Sequence, residues 1–398
     1  MSVASAVAKA EVPLKRSNKL LDSLWVTMKN TVRWQLTSSA LHGFVGALET
    51  AYGYTKDLDR SLNEIRIVSG KSASDMSEFA EQANKAAKAL STTTTDYTDA
   101  SLIYYQQGLS DQEVLDRTET TIKMANVAGT TAETASQQLT AIWNNFYDGS
   151  QSLEHYADVM VKLGAATASS SDEISEGIEK FASIGNTVGL SYEYAASALA
   201  TVTAQTRESA SVVGTAFRTL FSRIQGLQQG DTLEDGTTLN KYSQALATVG
   251  VQIKDTNGNL KGMDEILDDL GSKWGTLAQD QKIALAETVA GVRQWTQLIA
   301  LMDNWDFFKD NLALAQNADG TLTEQAEIYA ESWQGARDRV KAAAEDIYDS
   351  LINPQFFVDV DDNITPLLTG IADVIDAMGG MKGIILTTGT VFTAVYHD

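Results

Sequence analysis

"SDQEVLDRTETTIKMANVAGTTAETASQQLTAIW", Ser110 to Trp143, holds the pattern that decides the fold. Ser110 is followed three residues later by Glu113, and Thr130 by Glu133. A hydroxyl and a carboxylate at that spacing satisfy the free backbone amides of a helix start, each serving the other's end. Apolar residues then recur at helical intervals: Val114, Ile122 and Met124 after the first box, Leu139, Ile142 and Trp143 after the second. The stretch therefore predicts two helices of about 15 residues joined by a short turn.

The same beat extends to both sides. Ser91, Ser110, Thr130, Ser150, Ser170, Ser191 and Ser211 fall about 20 residues apart. Ser170 opens a third box with Glu173, and Ile174, Ile178 and Phe181 make the stripe behind it. Together these predict an all-α fold, an array of antiparallel helical hairpins. One small β-hairpin is expected at Val251–Lys261, where Val251 and Ile253 alternate toward the turn-forming Asn257-Gly258. Helical pattern resumes at Met263 and runs through Leu285–Met302 and Ala326–Leu351. Within Leu285–Met302, Leu285, Val289, Val292, Trp295, Ile299 and Met302 predict one apolar face of one helix, with Gly291 beside it as a close-packing position. Arg293 lies off that stripe, and its expected partners are carboxylates or helix-end carbonyls of a neighbouring element.

Upstream, Leu20, Leu24, Met28, Val32 and Leu36 form an amphipathic stripe flanked by Lys15, Arg16, Lys19, Lys29 and Arg33. Residues 1–56 thus predict a long basic helical arm that packs on the body or on a partner protein. Residues 57–353 form the expected folded helical domain. Pro354 and the acidic cluster Asp359, Asp361 and Asp362 open a third region, 354–398, an acidic linker followed by an apolar stretch. That stretch, Gly383–Tyr396, is shorter than the ~20 residues a spanning helix needs.

The chain has 398 residues, long enough for two or three domains and a sizeable core. It holds only 3 Pro, which suits long uninterrupted helices. It holds no Cys, which excludes disulfides, thiolate metal sites and cysteine nucleophiles. The net charge is -22, with residues 1–60 slightly basic and the rest strongly acidic. Such a body repels nucleic acid at long range.

Catalytic constellations are not found. "GKS" at Gly70–Ser72 lacks the glycine five residues earlier and the preceding strand that a phosphate loop needs. The acidic loops at Asp255–Asn259 and Asp359–Asn363 lack the glycine and glutamate of a calcium loop. His42, His155 and His397 are far apart, with no metal-ligand partner at i+4. No catalytic residue, metal site or cofactor is expected.

Five stretches in order resemble one family. They are "SLNEIRIVSGKSASDMSEFA" (Ser61–Ala80), "YYQQGLSDQEVLDRTE" (Tyr104–Glu119), "TRESASVVGTAFRTLFSRI" (Thr206–Ile224), "LATVGVQIKDTNGNLKGMDEILDDLGSKW" (Leu246–Trp274) and "AGVRQWTQLIALMDNW" (Ala290–Trp305). Their order and spacing are similar to those of the tail tape measure proteins of long-tailed bacteriophages. The likeness covers roughly residues 40–353. The motif positions singled out are Tyr104, Tyr105, Gly108 and Leu109, then Arg207 and Glu208, then Gly291, Arg293, Gln294 and Trp295.

The resemblance implies a non-enzymatic virion protein. It would lie in the tail tube lumen, set tail length during assembly, and leave ahead of the DNA to assist its delivery. The partners it implies are the tail tube protein, tail assembly chaperones and tail tip proteins, with self-association in the tube. It also implies proximity to DNA without specific binding, contact with the host membrane through regions beyond residue 398, and residence in the host cytoplasm during assembly. Members of the family are much longer, so this sequence is read as the folded region of a tape measure chain, whether truncated, a natural fragment or an excised domain. The competing reading is a non-enzymatic helical interaction or scaffold module of a secreted or sensory system.

Overall fold

The box at Ser110 forms: the Glu113 carboxylate accepts from the Ser110 amide at 2.9 Å and from its hydroxyl at 2.6 Å. At Ser170 the exchange is reciprocal, with Glu173 accepting the Ser170 amide at 2.8 Å and donating its own amide to the hydroxyl at 3.1 Å. The beat at Thr130 is displaced by one residue. Thr130 closes the previous helix by donating to the Ala125 carbonyl, and Thr131 caps the next one. Ser91 ends a helix in a left-handed conformation, and Thr93 caps its successor. Ser150 braces a turn on Asp148, and Ser152 is the cap. Ser191 caps as expected.

The computed structural model describes Tyr54, residues 56–229 and 239–257, Asn259, and residues 261–352. Its described residues form seventeen helices and no strand. In chain order they are α1 (56–69), α2 (Ala73–Leu90), α3 (Thr94–Gln106), α4 (Asp111–Ala128), α5 (Ala132–Phe146), α6 (Leu153–Ala166), α7 (Ser171–Glu179), α8 (Ala182–Thr187) and α9 (Tyr192–Thr206). There follow α10 (Ala210–Gln229), α11 (Leu239–Thr248), α12 (Met263–Trp274), α13 (Gln279–Ala290), α14 (Trp295–Asp303), α15 (Trp305–Ala315), α16 (Thr321–Glu331) and α17 (Trp333–Ile352). The expected basic arm lies outside the described residues except at its last positions, and the region 354–398 lies outside them altogether.

Three local expectations are corrected. The β-hairpin at Val251–Lys261 is not seen. Val251 is buried and returns its amide to the Leu246 carbonyl, sealing the end of α11. Beyond it, Asp255 Oδ1 accepts the amides of Asn257 and Asn259, both at 2.8 Å. Two backbone bonds also cross the loop, from the Asp255 amide to the Asn259 carbonyl at 2.8 Å and from the Lys261 amide to the Ile253 carbonyl at 3.0 Å. The Asn259 amide goes to the Asp255 side chain, however, and a tight loop results in place of two strands. The expected single helix through Leu285–Met302 breaks at Gly291, whose φ of 88° is outside helical range. Val292 is consequently 78% exposed and not on the core face. The pattern through Ala326–Leu351 likewise divides at Ser332, which adopts extended backbone and accepts the Gly335 amide at 3.1 Å.

The predicted stripes face inward. Val114, Ile122, Met124, Leu139, Ile142, Ile174, Ile178 and Phe181 are all buried, and Trp143 is half-buried against them. Helix α9 lies at the centre. Eleven consecutive or near-consecutive residues from Tyr192 to Thr203 are buried on all its faces. It packs on α6, α7, α10, α14 and most extensively on α15. Aromatic rings fill the space around its start: Tyr192 meets Phe146 at 5.5 Å and Tyr156 at 5.0 Å, and Tyr194 meets Phe308 at 4.8 Å, all edge-to-face.

Close approach of α7 and α10 requires two glycines. A methyl group on Gly214 would sit on the Gly177 carbonyl oxygen, well inside van der Waals contact, and one on Gly177 would strike Leu199. Gly214→Ala is therefore expected to lower stability by about 1–3 kcal/mol in urea denaturation. Gly275→Ala is the control. Its φ is -64° and open space surrounds the new methyl, so the change should be neutral or stabilise by up to ~1 kcal/mol.

Candidate functional site

The motif positions fall into two separate places. Tyr104 and Tyr105 end α3. Tyr104 is fully buried, its hydroxyl 2.6 Å from the Thr121 hydroxyl of α4. Tyr105 stands edge-on to Phe79 and donates to Asp111 Oδ1 at 3.2 Å, with Lys71 over its ring at 5.5 Å. Gly108 supplies the left-handed turn between α3 and α4, with a φ of 74°, and Leu109 packs half-buried on the core. These four residues build one helix–turn–helix corner.

The second place joins motifs that lie 80 or more residues apart. Arg207 ends α9 in a left-handed conformation and its guanidinium donates to the Ala168 carbonyl. Glu208 accepts from Gln297 Nε2 of α14 at 2.7 Å. Gly291 faces the Arg223 guanidinium of α10, where a side chain would intrude. Trp295 packs half-buried against the core. Arg293, Gln294 and Gln297 line one wall of a shallow groove of about 240 Å³, and Ser211, Val212, Thr215 and Ala216 line the other. Arg293 is exposed at its rim and not enclosed. The groove is open and small, without a converging set of titratable groups.

Sequence reasoning missed a charged cluster built on α6. His155 and Asp158 sit one turn apart on α6. The two ring nitrogens of His155 each meet a carboxylate at 2.7 Å, Nε2 with Glu193 Oε1 of α9 and Nδ1 with Asp319 Oδ1 before α16. The Glu193 hydrogen bond pushes the imidazole up to about 9, against the opposing effect of burial, with Asp319 assisting. Asp319 is 85% exposed at its side chain and contributes the weaker share. For Glu193, burial is the largest single effect and raises the carboxyl, but the His155 hydrogen bond and charge, together with the Glu193 amide and the Ser191 hydroxyl, outweigh it and hold the group below its ordinary value.

Asp158 accepts two amides at the start of α16, Gly320 at 2.9 Å and Leu322 at 2.6 Å. Burial raises its carboxyl, and those amides oppose the rise. Lys123 of α4 and Glu154 of α6 both bond the Thr323 hydroxyl, at 3.3 and 2.9 Å. The cluster thus ties α4, α6, α9 and α16 together. Its only sequence signal was a histidine and an aspartate three apart on an apolar helix, and its other partners lie 38 and 164 residues away. Among the described residues no group of three or more His, Asp or Glu is placed to hold a metal ion, and no helix is long and apolar enough to cross a membrane.

The described residues thus form a scaffold of helices with a shallow polar groove and a charged tie. The phage-related minor tail protein family matches residues 81–291, more than half of the chain, and the chain belongs to that family. The protein named "Tape measure protein" of Pneumococcus phage Dp-1 is 22% identical over 241 residues, which is 60% of this chain and 20% of that protein. The chain therefore spans about a fifth of the length of the curated relative it matches. No solved structure matches.

The histidine tie gives a pH dependence of defined sign. His155 binds its proton more tightly folded (about 9) than at its ordinary 6.5, so its contribution is complete below pH 6.5 and drains away as pH rises through 9. Its partner Glu193 sets the acid edge, since the pair is lost as pH falls through the lowered carboxyl value. His155→Gln is expected to cost roughly 2 kcal/mol at pH 6 and clearly less at pH 10. Denaturation of both proteins at the two pH values measures this. An undiminished difference at pH 10 would show that the charge on His155 stabilises nothing.

Proposed function

We propose that this chain is the folded region of a tape measure protein, a virion component that sets tail length and is ejected ahead of the DNA. The observation that carries the reading is the minor tail protein match over residues 81–291, joined to the likeness to a relative named as a tape measure protein. The chain would lie in the tail lumen, be held by assembly chaperones in the host cytoplasm, and meet tail tube and tail tip proteins. It acts by occupying space and not by catalysis. Self-association in the tube and a membrane contact by regions beyond residue 398 belong to the same reading.

The division into a basic arm (1–56), a folded body (57–353) and an acidic linker with an apolar stretch (354–398) fits this use. The motif residues serve as packing positions within the body. The packing of successive helices α2 to α5 on one another supports a hairpin stack in that part of it. Helices stabilised by neighbouring contacts can unravel in succession. With no Cys, no disulfide opposes that. An acidic surface does not cling to DNA that follows through the same channel.

In-frame deletions and duplications within helical segments of the full-length parent gene, with virions viewed by electron microscopy, test the reading. Tail length is expected to fall or rise in proportion to the residues removed or added. Constant tail length would sink it.

A further inference from the structure

We propose that α16 and α17 form a detachable strap, which leaves the body as a unit before the rest opens. The first observation is how few of its described side chains are buried. Of the eleven residues of α16 only Thr321 and Leu322 are buried. In α17, through Glu345, the buried residues are Gly335, Ala342, Ala343 and Glu345. Tyr329 of α16 is only half-buried and Trp333 of α17 is 74% exposed, whereas α9 buries eleven of its fifteen residues, two tyrosines among them.

What holds the strap is a set of polar clasps along its length. At its start the Asp158 carboxylate accepts the Gly320 and Leu322 amides. In its middle Arg339 donates to the Ser91 hydroxyl at 3.0 Å. Further along α17 the Asn84 amide donates to the Ala342 carbonyl at 3.2 Å, and Glu345 Oε2 accepts the Thr94 amide and hydroxyl at 2.7 and 2.6 Å. Directional bonds of this kind fail together once a helix moves by an ångström or so, because their strength falls steeply with angle and distance. Water then replaces them, and the carboxylates of Asp158 and Glu345 recover hydration that burial denies them. Apolar packing has no such substitute.

The topology suits detachment. The strap lies chiefly on α2, α4 and α6, and α16 and α17 also pack on each other. The α9–α15 pairing at the centre does not include it. Its hinge is the turn after α15, ending in Gly320 with a φ of 82° and open space around it. The proposal rests on this packing alone and does not depend on the tail reading.

Hydrogen–deuterium exchange of the full chain, read by mass spectrometry, tests it. Amides of α16 and α17 are expected to exchange at least ~100-fold faster than those of α9 and α15 at neutral pH. Asp158→Asn removes the carboxylate at one end of the strap and Thr94→Val the hydroxyl at the other. Each should speed exchange in α16 and α17 by a further ~10-fold and leave α9 and α15 unchanged. Equal protection of strap and centre in the unaltered protein would overturn the proposal, as would variants that speed exchange everywhere alike. Should Asp158→Asn fail to fold, the unaltered protein and Thr94→Val decide the matter.

Discussion

Helix α9 must be buried on every side, and the rest of the body is arranged to meet that requirement. Its sequence runs small: Ala195, Ala196, Ser197, Ala198, Ala200 and Thr201 are all buried. Small side chains let neighbouring helices approach closely from several directions, and an all-round apolar helix is stable only when so covered. The covering comes from α6, α7, α10, α14 and α15, drawn from distant parts of the chain. Gly177 and Gly214 remove the last obstacle on one flank, and the tyrosine and phenylalanine rings fill the wider space at its start.

The core around that helix is unusually rich in hydroxyls and amides, and most of them are paired. Ser101 meets Thr118, Ser175 donates to Gln138, and Asn311 donates to Thr201, all buried. Such bonds add little net stability each, since water competes for the same groups in the unfolded chain. They do fix which helix meets which, because a mispaired hydroxyl left dry is costly. The result is a body with specific packing whose polar joints water can replace. The charged cluster at His155 and the clasps on α16 and α17 are the strongest instances.

Much of this was legible locally. The caps at Ser110, Ser170 and Ser191 act over three residues, so spacing alone reveals them, and the inward stripes follow from the 3.6-residue period. Where reading failed, a competing local interaction had won. Thr131 displaced Thr130 because Gly129 ends α4 and Thr130 is used to close it. The Asp255 side chain captured the Asn257 and Asn259 amides at the tip of an expected hairpin, leaving two cross-loop backbone bonds and no strand. Gly291 broke a helix that an unbroken apolar pattern had suggested, since periodicity does not register a positive φ. The candidate site was less legible: the family motifs were visible, but not that Glu208 would meet Gln297, nor that His155 would stand between two carboxylates.

By itself, the sequence determined the helical character of the body, where most helices begin, the absence of any disulfide, and the likeness to tail tape measure proteins. The first three depend on composition or on residues within a turn of one another, and the last on the order of five short stretches along the chain. The tertiary structure alone decided which polar residues are buried and with whom they pair. Glu193, Asp319 and Glu345 look in sequence like the many other acids of a solvated surface. They differ only because folding brings His155 or Thr94 within 3 Å of them, across separations from 38 to 251 residues. Local pattern carries no record of such distances, since they are set by how the helices stack around α9.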